Sequence, residues 1–184
     1  MFKNVGEGKE KMDIRIQKSK KSIMNAFIQL RAQKPLERIT VTELCRLAEI
    51  NKSTFYSHYQ DIYDLSDQLE DELVEGILRS FGDPKEVLAD IRLLTRKLFE
   101  AYTAKSSLIQ ILFSGNRSGV LPRKIERALK QWIQHVYPEY KDDPKRNIAL
   151  TYQVYGGYYA FQENKNYGAE YVADVISDIV GMRD

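Results

Sequence analysis

The apolar residues of this chain recur at every third or fourth position, and this spacing constrains the fold more than any other feature. Residues that repeat in this way share one face of an α-helix, whereas a half-buried strand alternates apolar and polar residues. No alternating run bounded by hairpin turns occurs in the 184 residues. Helical stripes cover residues 16–30, 65–77, 88–102 and 125–136, with further helices expected at 145–164 and 168–182 and a shorter one at 107–114. The pattern predicts an all-α protein of about nine helices.

The N-terminal third of the chain is basic. Residues 1–60 contain twelve Lys and Arg against six Asp and Glu, whereas the rest of the chain contains sixteen against twenty. A net positive segment attracts polyanions such as nucleic acid. We therefore expect the N-terminal part, and not the C-terminal part, to meet such a partner.

Membrane proteins and disulfide-rich secreted proteins do not fit this sequence. No apolar run approaches the roughly 20 residues that a membrane-spanning helix needs. The single cysteine, Cys45, cannot form an internal disulfide, and a reducing compartment suits such a chain. We expect a cytoplasmic protein with no membrane partner.

The residues that carry catalysis or bind metals are sparse. His58 and His135 lie on different expected helices, and with one cysteine they form neither a metal-ligand spacing nor a catalytic dyad. The carboxylates at 70–72 are typical of a solvated helix face rather than an acid–base pair. The sequence predicts no enzymatic activity, no cofactor and no metal.

Residues 39–65 carry two short helical signals with almost nothing between them. Thr40 is a good N-cap for the first helix, and Glu43 three residues later fits a capping box. We expect Leu44 and Leu47 to face inward.

The second short helix follows after three residues, which predicts a helix-turn-helix. Asn51 is its expected N-cap, Phe55 its apolar anchor, and Ile50 would fill the core between the two helices. The polar and aromatic residues of the motif suit a DNA groove, because they can bond phosphates and base edges. The alternative is an ordinary solvated helix face. The candidate DNA-binding residues are Thr40, Thr42, Lys52, Ser53, Thr54, Tyr56, Ser57, His58 and the partly buried Tyr59.

The order of these residues resembles the DNA-binding domain of the TetR/AcrR family of bacterial transcription regulators. The resemblance covers about residues 13–70. It is carried by Thr40, Val41, Leu44, Ala48, Ile50, Asn51, Thr54, Phe55, Tyr56, His58, Tyr59 and Leu65. The stretch 56–65 also looks like a branch that includes dihydroxyacetone-kinase-type activators, which bind a protein co-regulator.

Three positions depart from the family pattern. Cys45 stands where a small residue is usual, and we interpret it as a packing residue. Glu49 stands where the turn usually has Gly, so it would need a positive φ. Ile62 stands where a Lys often binds phosphate, which leaves more of the phosphate contact to Lys52, Tyr56 and His58.

The resemblance implies a domain organisation and a partner. Residues 1–12 would be an N-terminal arm, 13–62 the helix-turn-helix domain, and 63–184 a helical dimerisation and effector-sensing domain. A short recognition helix makes few base contacts, so a homodimer that reads two half-sites of double-stranded DNA is expected. By resemblance, the candidate effector-pocket residues are Phe99, Tyr102, Phe113, Trp132 and Tyr155. The candidate dimer-interface residues are Tyr152, Gly156, Gly157, Tyr159, Val172, Val175, Ile176 and Ile179.

The adjacent glycines Gly156 and Gly157 interrupt a helix that is otherwise rich in tyrosine. Each Gly costs roughly 1 kcal/mol relative to Ala in a helix interior, so a close helix–helix approach is the expected compensation. Tyr152, Tyr155 and Tyr159 share one face of this helix, where ordinary core packing is the alternative to a ligand pocket.

These features predict a dimeric transcriptional repressor that an unknown small-molecule or protein effector releases from DNA. One alternative is an activator controlled by a protein co-regulator. The alternative of a different class is a helical adaptor that has lost DNA binding.

Overall fold

The computed structural model describes residues 5–182, with side chains from residue 14 onward. The described residues form ten α-helices and no strand, so the predicted all-α class is confirmed. The helices are α1 Val5–Arg31, α2 Val41–Leu47, α3 Lys52–Tyr56, α4 Ile62–Arg79, α5 Pro84–Ala89, α6 Ile91–Ala104, α7 Ser106–Leu112, α8 Val120–Val136, α9 Pro144–Asn164 and α10 Ala169–Gly181.

The prediction of about nine helices was low by one because the stripe at 88–102 covers parts of two helices. Asp90 ends α5 in an extended conformation and caps α6, since its carboxylate accepts hydrogen bonds from the backbone N–H groups of Arg92 and Leu93. A break of one residue leaves the apolar spacing nearly unchanged, so periodicity alone does not reveal it.

The chain divides into two compact units, Met1–Leu69 and Glu70–Asp184, and the division falls inside α4. We predicted a domain boundary after residue 62, where α4 begins. Of the predicted N-terminal arm, residues 1–4 lie outside the described residues, and residues 5–12 belong to α1.

The core of the first unit is built from side chains of α1 to α4. Ile23, Phe27, Leu44, Phe55 and Leu65 have no exposed surface. Burial of each such side chain stabilises the fold by roughly 1.5–3 kcal/mol. These contacts hold two very short helices, α2 and α3, that would not be stable alone in water.

The burial of three residues, Leu47, Tyr59 and Ile62, can be compared with what the sequence predicted. Leu47 is 44% exposed, so the prediction that it faces inward is wrong, because Leu44 and Cys45 already form the buried side of α2. Tyr59 is buried, with its ring centroid 5.7 Å from that of Phe55. Ile62 is buried as well and contributes to the core where a lysine would reach outward.

In the second unit, α6 packs against α10. Small residues recur at every fourth position of α10, at Ala169, Ala173, Ser177 and Gly181. At the last of these, an added Cβ would collide with the side chain of Arg92 on α6. Small side chains on one helix face allow two helix axes to approach closely.

The apolar core of this unit joins α4, α5, α6, α8 and α9. Its buried cluster consists of Leu78, Phe81, Val87, Leu94, Leu129 and Leu150. A second cluster around Phe161 packs α9 against α10. None of the described helices has the length and apolar character required to cross a membrane.

Of the three carboxylates at 70–72, only Glu72 is solvated as the sequence predicted, whereas Glu70 and Asp71 join an ion-pair network. Glu70 has no exposed surface and forms an ion pair with Arg117, while Lys124, only 4% exposed, lies 2.7 Å from Asp71 and 3.6 Å from Glu70. Arg127 also pairs with Asp71. Buried charges persist only when paired, so this network ties α4 to α8 and to the turn before α8.

Candidate nucleic-acid interface and ligand cavity

Of the two hydrogen bonds of the capping box predicted at the start of α2, one is present. The Thr40 hydroxyl accepts a hydrogen bond from the backbone N–H of Glu43 at 3.3 Å. The Glu43 carboxylate does not complete a capping box but accepts from Nζ of Lys34 at 2.6 Å. A bond between two charged groups is stronger than one to a neutral amide, which explains the different partner.

The turn between α2 and α3 requires a left-handed residue, and Glu49 provides it with φ 54°. The N–H of Ile50 donates to the carbonyl of Cys45 at 3.0 Å, and the N–H of Glu49 donates to that of Arg46 at 3.4 Å. This pair of bonds is the Schellman motif, which usually has Gly at its left-handed position. The predicted positive φ is therefore confirmed.

Cys45 packs beside this turn. It is buried, and its Sγ lies 3.9 Å from the carbonyl oxygen of Asn51. Burial raises the pKa of the thiol, with Lys52 acting weakly in the opposite direction. A protonated, buried thiol behaves as a small apolar side chain.

Asn51 caps α3, as predicted, and gathers three donors on one oxygen. Its Oδ1 accepts from the backbone N–H of Thr54 at 2.8 Å, from the Thr54 hydroxyl at 2.8 Å and from the Ser53 hydroxyl at 2.7 Å. The hydroxyl of Ser57 donates to the carbonyl of Thr54 at 2.7 Å. The hydroxyl protons of Ser53, Thr54 and Ser57 are thus already engaged inside the protein.

Two side chains of α3 keep donors that point away from the core. Lys52 and Tyr56 are exposed, the latter at 56%, and neither makes a hydrogen bond or ion pair among the described residues. Thr42 on α2 is exposed in the same way. An ammonium group and a phenol hydroxyl can both donate to a phosphate oxygen.

His58 follows α3 and is bonded to α1. Its Nε2 lies 2.7 Å from Oγ of Ser19, while the Ser19 hydroxyl lies 2.9 Å from the carbonyl of Ile16 and donates to it. The Ser19 hydroxyl and Nε2 of His58 share a hydrogen bond whose direction follows the tautomer of the imidazole. Burial, and secondarily the nearby charge of Lys20, lowers the pKa of His58.

Seven of the nine predicted DNA-binding residues therefore separate into three groups. Thr42, Lys52 and Tyr56 offer free donors, Ser53, Thr54 and Ser57 have committed protons, and His58 holds α3 to α1. Thr40 is exposed but serves as a cap, and Tyr59 belongs to the core. The sequence did not single out Ser19 and Lys20, although the run of basic residues on α1 was a visible signal.

A cavity of about 80 Å³ lies among α6, α8, α9 and α10 in the second unit. Phe99 and Tyr102, which the sequence analysis assigned to a candidate effector pocket, are among its lining residues. Phe113, Trp132 and Tyr155 are not among its lining residues, because Phe113 is buried in the core and Trp132 packs against Phe81.

The lining of this cavity is apolar apart from four uncharged polar side chains, Thr95, Tyr102, Gln153 and Tyr158. The Tyr102 hydroxyl accepts a hydrogen bond from Nε2 of Gln162 at 2.7 Å. Burial raises the pKa of Tyr158, and the neighbouring Tyr102 adds to this shift. Small-molecule sites share this kind of lining, but their volumes are usually about 300–1,000 Å³, so the cavity would have to widen to admit a ligand of ordinary size.

The outer surface of α9 and α10 carries exposed apolar side chains. Tyr152 is 60%, Tyr159 47%, Val175 39% and Ile179 53% exposed. Between the two helices runs a groove of about 190 Å³ that Tyr152, Gly156 and Ile179 help to line. Two residues predicted for the same interface, Val172 and Ile176, are instead buried within the unit, where they pack around Phe161.

The glycine pair of α9 faces two environments. A Cβ at Gly157 would lie 3.6 Å from Cγ2 of Ile176 and 3.9 Å from Cζ of Phe99, so this glycine faces neighbours in its own unit. A Cβ at Gly156 would meet no atom within 4 Å. Only Gly156 is therefore open to a partner.

Among the described residues, no three His, Cys, Asp or Glu side chains group as metal ligands would. Comparison of the chain with models of known protein families, with curated proteins and with solved structures gives no match.

Proposed function

We propose that this protein is a DNA-binding transcription regulator similar to the TetR/AcrR family, and that α2 and α3 bind the operator. The observation that carries this proposal is the outward presentation of Lys52 and Tyr56 from α3, a helix fixed by the Asn51 cap and by the left-handed turn at Glu49. A helix held by so many local bonds can enter a groove without rearrangement.

The charge around α3 supports the same proposal. Arg15, Lys18, Lys20 and Lys21 on α1 are all exposed, and Lys20 is close enough to His58 to affect its pKa. Cations beside a groove-reading helix would bind the flanking phosphates.

The regulator acts as a homodimer in this proposal, with α9 and α10 as the contact surface. The exposed side chains of Tyr152, Tyr159, Val175 and Ile179 support it, because contiguous apolar surface rimmed by polar residues marks interaction sites. A two-fold dimer would present two copies of α3 to two half-sites.

An effector would bind in the cavity lined by Phe99 and Tyr102 and release the repressor from DNA. Since the lining has no charged side chain, the favoured effector is an uncharged molecule. Its binding would shift the protein between states with different affinities for the operator.

The salt dependence of binding tests the proposal. With about six phosphate contacts, the logarithm of the association constant should fall against the logarithm of the salt concentration with a slope near −5. A mobility-shift titration with selected DNA measures this slope, and Lys52→Ala should make it shallower by about 1. A slope near zero would contradict the proposal.

A further inference from the structure

The hydroxyl groups of Ser53 and Thr54, at the start of α3, both act as hydrogen-bond donors to the side chain of Asn51. The oxygen of the Asn51 amide, not its nitrogen, faces α3, because it accepts from the backbone N–H of Thr54. An amide oxygen has no proton to give. The hydroxyls of Ser53 and Thr54, at 2.7 and 2.8 Å from this oxygen, must both be donors to it.

A serine hydroxyl carries one proton and two lone pairs. With its proton committed to Asn51, the hydroxyl of Ser53 can only accept a hydrogen bond from outside. Ser53 is exposed, and it is the second residue of α3. Recognition helices contact base edges through their N-terminal residues, so this acceptor lies where a base would be read.

The major groove offers few donors to such an acceptor. Adenine presents its N6 amino group and cytosine its N4 amino group, whereas guanine O6 and N7 and thymine O4 are acceptors. While its proton is bonded to Asn51, the Ser53 hydroxyl would meet a donor on adenine or cytosine. On guanine or thymine it would meet another acceptor, which it cannot bond.

We infer that Ser53, held by Asn51, is a specificity-determining residue that selects adenine or cytosine at one position of the strand it contacts. This inference rests on the proposed DNA-binding function. Thr54, half-buried beside it, has the same polarity and reinforces the choice.

The same bonds exclude Ser53 from a phosphate contact. Phosphate oxygens accept hydrogen bonds, so Ser53 would first have to break its bond to Asn51. Lys52 and Tyr56 have no such commitment. Backbone contact and base readout are thus assigned to different side chains on one short helix.

Selection of bound sequences from a random duplex library, with the full chain, tests the inference. The parent protein should enrich a motif with adenine or cytosine at one position, with about tenfold discrimination against guanine and thymine. Ser53→Ala should lose that discrimination and keep the rest of the motif.

Variants of Asn51 test the origin of the polarity. Asn51→Gly removes the acceptor and frees the Ser53 proton, so guanine and thymine should become acceptable at that position. Gly is nearly as good an N-cap as Asn, so α3 should persist. Asn51→Asp is the matched control, because it keeps the acceptor oxygen and should keep the preference while its added charge weakens binding to every sequence.

The outcomes separate the two proposals. If Ser53→Ala or Asn51→Gly enriches the same bases as the parent at every position, the inference is overturned while DNA binding stands. If the parent enriches no sequence and shows no salt-dependent binding, both the inference and the proposed function fall. Should circular dichroism show that Asn51→Gly is unfolded, the Ser53→Ala result decides alone.

Discussion

Nε2 of His58 and the hydroxyl of Ser19, which are 39 residues apart in the sequence, share a hydrogen bond of 2.7 Å. The contact joins the end of α3 to α1. Both residues lie in the first compact unit. His58 therefore positions α3, in addition to any contact that it makes with DNA.

The lowered pKa of His58 makes the stability of the protein depend on pH. The unfolded chain, with a histidine pKa of about 6.5, binds this proton more readily than the folded protein. The contribution of His58 is thus fully present above about pH 6.5 and is lost as the pH falls through the lower folded pKa. We expect His58→Gln to lose less thermal stability than the parent between about pH 7.5 and pH 5.5.

His135→Gln is the control for this experiment, because His135 is exposed on α8. Thermal unfolding followed by circular dichroism measures all three proteins. Equal losses in the parent and in His58→Gln would contradict the assigned role of His58.

Tyr56→Phe should weaken operator binding by about 1–2 kcal/mol, because it removes only the hydroxyl that is expected to meet phosphate. The protein should remain folded, since Tyr56 is 56% exposed. Tyr167→Phe, at a tyrosine 67% exposed in the second unit, should bind like the parent. A mobility shift that does not distinguish the two variants would remove Tyr56 from the interface.

Glu49→Gly should raise the free energy of unfolding by about 1 kcal/mol. The left-handed conformation of Glu49 strains a residue with a Cβ, and Gly adopts it freely. Glu49→Gln keeps the strain and removes the charge, so it should match the parent in urea unfolding. A gain in Glu49→Gln as large as that in Glu49→Gly would assign the effect to charge and not to the backbone.

Gly156→Leu should fold but fail to dimerise. No atom within 4 Å would meet a Cβ at Gly156, and the helix gains propensity, so the monomer has no reason to unfold. Gly157→Leu should instead destabilise the unit by about 1–3 kcal/mol, since Ile176 and Phe99 already fill its surroundings. Gln131→Leu adds the same side chain at an exposed site on α8 and serves as the control.

Sedimentation together with circular dichroism measures these glycine variants. A Gly156→Leu protein that remains a dimer would show that the α9–α10 face is not the dimer interface.

Glu70→Gln should destabilise the second unit by about 3 kcal/mol. It removes the charge that pairs with Arg117 and that lies 3.6 Å from Nζ of the buried Lys124. Glu72→Gln changes an exposed neighbour on the same helix and should cost little. Similar urea midpoints for the two variants would mean that solvent already compensates the network.

The sequence alone determined the helical class and much of the local geometry around the candidate interface. The caps at Thr40 and Asn51 followed from neighbouring residues, because each depends on bonds made within about one turn of the chain. The positive φ at Glu49 was expected from the family pattern, which usually has Gly at this position of the turn. The exposure of Lys52 and Tyr56 likewise followed from the spacing around Phe55.

Only the tertiary structure decided which side chains are covered by residues distant in sequence. Glu70 is buried because Arg117, which lies 47 positions away, pairs with it, and no local pattern encodes that pairing. Ile176 is buried because the aromatic cluster around Phe161 covers it, whereas Ile179 on the same helix is exposed. The helical repeat determines the direction in which a side chain points from its helix. Whether another side chain covers it depends on which elements pack against that face.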